Sequence, residues 1–130
     1  MDELTTQEVK RISHEIVRNE FPDEEEYFDF LFDLTIQEIE ELEPGRETEF
    51  LREMRAVHPE LVLGYTPIII ILTVQILGDF THGTLITEEI IKKRIESISE
   101  SKEILGLSKY FARYRDKEKE KRKEREEKNS

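Results

Sequence analysis

The chain has 130 residues, of which 31 are acidic and 20 basic, giving a formal net charge of −11 with 39% of side chains charged. That length suits one ordinary domain, and the acidic excess opposes broad contact with DNA, RNA or anionic lipid. No cysteine is present, so disulfides, thiol catalysis and thiolate metal sites are excluded.

The start, MDELTTQEVKR, lacks the basic end and apolar stretch of a secretory signal, and a cytoplasmic location is the expectation. A first helix is expected over residues 6–19. Val9, Ile12, Ile16 and Val17 fall on one stripe, His14 borders it, and Thr5 with Glu8 has the spacing of a capping box. Pro22 separates this helix from a second over residues 23–43, opened by acidic side chains that suit unpaired amides. Tyr27, Phe28, Phe30, Leu31, Phe32, Leu34, Ile36, Ile39 and Leu42 are too many for one narrow stripe. This helix must therefore meet neighbours on more than one side, as organiser of the core or as an interface anchor. Pro44-Gly45 stops it, and a third helix over 47–57 is expected to bury Phe50, Leu51, Met54 and Val57 before His58-Pro59 ends it.

Residues 61–78, LVLGYTPIIIILTVQILG, carry no charge. Thr66 as N-cap and Pro67 at the first helical position predict a helix over 67–77. Four consecutive isoleucines also suit a buried strand, but no second β segment exists to pair with it. A helix apolar nearly all round must be covered from several directions, which makes it the central helix of a bundle. The alternative is a membrane anchor over residues 61–77, with Lys92, Lys93 and Arg94 on the cytoplasmic side.

Residues 78–84 have a loop signature, with two glycines among short polar residues. Thr87 opens a helix reaching about residue 105, with Ile91, Ile95, Ile98 and Leu105 inward and Lys92, Lys93, Arg94, Glu96 and Glu103 in water. Gly106 closes it, Ser108 caps the final segment, and Leu107, Phe111 and Tyr114 can dock. Residues 116–128 contain no apolar side chain and mix 7 bases with 6 acids, the pattern of a projecting or frayed helix.

Charge is polarised, since residues 1–60 carry a net of −13 and residues 61–130 a net of +2. No metal-ligand or cofactor-binding pattern stands out. Glu24, Glu25, Glu26, Asp29 and Asp33 read as a solvated acidic face, and the five dispersed glycines form no phosphate cradle. Asp79 and His82, within GDFTHG, form the most enzyme-like cluster and support only a remote enzymatic alternative.

These patterns predict an all-α protein, a compact helical bundle of five or six helices over residues 1–115 with a charged helical or disordered tail over 116–130. The function expected is non-catalytic: an adaptor, regulatory or structural subunit that docks to another protein or to copies of itself. Phe28, Phe32, Ile69, Ile70 and Phe111 are the expected anchors.

Overall fold

A computed structural model of the chain describes residues 3–39, 46–57, 64–81, 87–98 and 106–128. In order these form α1 (Glu3–Glu20), a 3-10 helix (Pro22–Tyr27), α2 (Phe28–Ile39), α3 (Glu47–Val57), α4 (Thr66–Thr81), α5 (Glu88–Ile98) and α6 (Ser108–Lys128). The protein is all-α, with no strand among the described residues. The chain divides into two compact units, residues 1–77 and 78–130, with the boundary inside α4.

In the first unit, α1 buries the stripe its sequence announces, Val9, Ile12, Ile16 and Val17. It starts earlier than the capping-box spacing implies, which places Thr5 inside the first turn. Glu8 lies against Arg11, with 2.9 Å between Oε2 and Nη2. Phe21 leaves helical geometry at φ −135°, and Pro22 then opens the 3-10 helix. The second helix expected over 23–43 is therefore split. Its acidic first part winds at about three residues per turn, and the α-helix begins only at Phe28. Beyond Ile39, the expected continuation lies outside the described residues, as does Pro44-Gly45.

The interior face of α2 is Phe28, Leu31, Phe32, Thr35 and Ile36. In α3, Phe50, Leu51 and Met54 are buried as their spacing predicts, but Val57 is 71% exposed. That overturns its expected burial. Val57 is the last residue of α3, at the end of its apolar face.

From Thr66 onward the uncharged run is a helix, not a strand, and Ile68 to Leu72, Ile76 and Leu77 are buried. It continues through Gly78 to Thr81, so the loop expected from residue 78 does not begin there. Among the described residues, no helix is long and apolar enough to cross a membrane.

In the second unit, Thr87 caps α5 as expected. Its Oγ1 accepts from the Ile90 amide at 3.2 Å and its carbonyl from the Ile91 amide at 3.1 Å. Ile91 and Ile95 are buried, and Lys92, Lys93, Arg94 and Glu96 are exposed. Leu107, just before the last helix, and Tyr110 and Phe111 in its first turn are buried. Past Arg115, α6 continues to Lys128, and the side chains described there are exposed.

Candidate functional site

The five expected anchors all lie in the interior. Phe28 and Phe32 occupy the inner face of α2, Ile69 and Ile70 lie within α4, and Phe111 is in α6. All five are buried, as core residues are. Asp79 lies in α4, while His82 and His58 fall outside the described residues.

What reaches solvent is more selective. Among the described residues the exposed large hydrophobics are Tyr27, Phe30 and Val57, at 49%, 53% and 71%. Helical spacing ties the first two to a groove. Phe30, Leu34 and Glu38 follow steps of four, so they form one stripe along α2, and Tyr27, the last residue of the 3-10 helix, precedes it by three residues. At 3.6 residues per turn, that stripe lies roughly 120° round the helix from the buried Phe28, Leu31, Phe32, Thr35 and Ile36. Its later part, Leu34 and Glu38, lines an open groove of about 180 Å³ whose opposite wall is Phe50, Glu53, Met54 and Val57 of α3. Those α3 residues follow steps of three, one and three, again a single face.

The groove has an apolar floor in Phe50 and Met54, both buried, and a carboxylate on each side in Glu38 and Glu53, both exposed. It is smaller than the roughly 300–1,000 Å³ typical of small-molecule sites. Its dimensions suit side chains inserted from outside.

Neighbouring carboxylates divide into two groups. Three are engaged within the fold. Glu24 accepts from the Thr66 amide at 3.0 Å and the Thr66 hydroxyl at 2.9 Å, Glu25 lies 3.2 Å from His14 Nε2, and Asp29 lies 3.6 Å from Lys10 Nζ. The His14 ring also stacks on Phe28, with centroids 4.6 Å apart, and Lys10 Nζ sits 5.5 Å from the centroid of Phe32. In contrast, Asp23, Glu26, Asp33, Glu38 and Glu53 have no ion-pair partner among the described residues. Glu38 and Glu53 line the groove, and Asp23, Glu26 and Asp33 are exposed on the 3-10 helix and α2. Glu24, Glu25 and Asp29 thus go to separate partners, and among the described residues no three His, Asp or Glu side chains gather where they could hold a metal ion.

Compared with known proteins, the chain matches no family model, no curated protein and no solved structure. The face formed by α2 and α3 is therefore read from its own chemistry. The sequence shows that α2 has too much apolar surface for one stripe, and the structure buries Phe28 and Phe32 while Tyr27 and Phe30 are exposed. A helical wheel separates Tyr27, Phe30 and Leu34 from the core positions, and that separation is the signal that could have found them. Nothing local marks Val57, because its spacing within α3 is that of a buried residue.

Proposed function

We propose that this chain is a non-catalytic interaction subunit, adaptor, regulatory or structural in role, that engages another protein through the α2–α3 face. One observation carries the reading: the exposed large hydrophobics of the described chain fall on the stripe that enters the groove or on the groove itself. Single exposed apolar residues are ordinary, but apolar residues continuous with a groove and rimmed by charge mark an interaction site. Aromatic side chains at such a place supply large contact area at small entropic cost.

A photo-crosslinking residue placed at Val57 tests this in an extract of the native cells. A crosslinked product of defined mass is expected from Val57 and not from Glu96, an exposed position on α5. Adding Phe30→Asp to the Val57 probe should remove the product. The same crosslinking pattern from both positions, or a product indifferent to Phe30→Asp, refutes docking at this face.

A further inference from the structure

We infer that the occupant of the α2–α3 groove is a basic amphipathic helix of a partner protein, with apolar anchors three or four residues apart and lysine or arginine on both flanks. This rests on the docking role proposed above and adds the chemistry of the partner. Two helices already form the groove walls, and a third helix laid against them completes a ridge-and-groove packing layer. A strand has nothing to join, since the described residues contain no sheet edge. The stretch from Phe30 to Glu38 is about 12 Å long at 1.5 Å per residue, enough for two helical turns and their anchors.

Charge selects the flanks. Residues 22–57 contain 13 acidic and 3 basic side chains, a net of −10, so nearly all of the chain's excess of −11 lies on this stretch. Asp23, Glu26, Asp33, Glu38 and Glu53 have no ion-pair partner in the described fold, in contrast to Glu24, Glu25 and Asp29 nearby. An acidic or neutral helix would leave these carboxylates facing like charge or none, whereas a basic helix pairs with them and is steered toward them from a distance. A second copy of this chain is a poor fit. The apolar residues Ile91 and Ile95 on α5, a helix with three acidic and three basic side chains, are buried, and residues 116–128 of α6 contain no apolar side chain to insert.

Three synthetic helical peptides with the same leucine stripe but lysine, glutamine or glutamate flanks, titrated by fluorescence anisotropy, test the inference on the full chain. The lysine peptide should bind in the micromolar range, as befits a small open groove, and weaken as salt is raised. The Glu38→Lys, Glu53→Lys double variant should bind it about tenfold more weakly, from two exposed charge contacts reversed. Both positions are exposed, and circular dichroism of that variant should match the parent. Equal binding of all three peptides, or preference for the glutamate peptide, overturns the basic occupant. If that binding is lost in Phe30→Ser, Val57→Ser, the docking face itself stands. Failure of every peptide to bind overturns the inference, and the Val57 crosslink then decides separately whether the face docks anything. Light scattering that shows a dimer broken by Val57→Asp would assign the groove to a second copy and also overturn it.

Discussion

Glu24 takes the place that the sequence assigns to Thr66. Thr66 is the first residue of α4, Tyr65 supplies the carbonyl that accepts from Ile69 at 3.0 Å, and the Thr66 hydroxyl donates to Glu24. The carboxylate caps the helix start from 42 positions away in the chain, where the amide dipoles favour a negative charge. Gly64 makes room for it, because a Cβ at that position would collide with the Glu24 carboxylate. Glu24→Ala is expected to lower stability by about 1–2 kcal/mol. Gly64→Ala should do similar damage by displacing Glu24, yet in the Glu24→Ala background it should stabilise by about 0.4–1 kcal/mol through the stiffer unfolded chain. Urea denaturation of the four proteins reads that reversal of sign, and simple additivity would contradict the clamp.

Buried hydroxyls offer a second comparison. Ser13 and Thr73 donate to the carbonyls four residues back, at 2.6 and 2.7 Å, whereas Thr35 Oγ1 is buried with no partner among the described residues. Thr35→Val removes the unsatisfied hydroxyl at nearly constant shape and should raise stability by about 1 kcal/mol in the same assay.

Within α2, two stripes of one helix have opposite roles. Phe28→Ala should cost about 3–5 kcal/mol because it empties a buried site. Phe30→Ala, two residues on, should stay within about 0.5 kcal/mol of the parent because its side chain already faces water. Thermal denaturation of the pair checks whether the division between core and exposed stripe is right. In α4, four consecutive isoleucines have modest helix propensity, and burial overrides it: each large aliphatic side chain withdrawn from water contributes about 1.5–3 kcal/mol. Residues 116–128 of α6 have no such contribution, so deleting the chain after Arg115 should reduce far-UV helicity while leaving the urea midpoint unchanged. A fall in the midpoint would show that this part of the helix is packed rather than solvated.

Across the chain, the acidic stretch over residues 22–57 opposes its own folding through self-repulsion. Exposed ion pairs such as Lys10 with Asp29 contribute little, so repulsion should outweigh them. Raising sodium chloride to about 0.5 M, where the Debye length falls to a few ångströms, should therefore raise the melting temperature. A fall would mean that the surface pairs matter more than the net charge.

The order of helices, the charge polarity and the burial of residues 68–72 were all legible in the amino-acid sequence, because period, caps and breakers act over a few residues. The helix over 47–57 shows this well: its ends follow from local signals alone. Three matters belonged to the tertiary structure. Glu24 meets Thr66, Phe30 faces water while Phe28 and Phe32 do not, and Val57 remains uncovered at the mouth of a groove. Each depends on which surfaces arrive from distant parts of the chain, and solvent exclusion is a property of that assembled neighbourhood, which no short window of sequence contains.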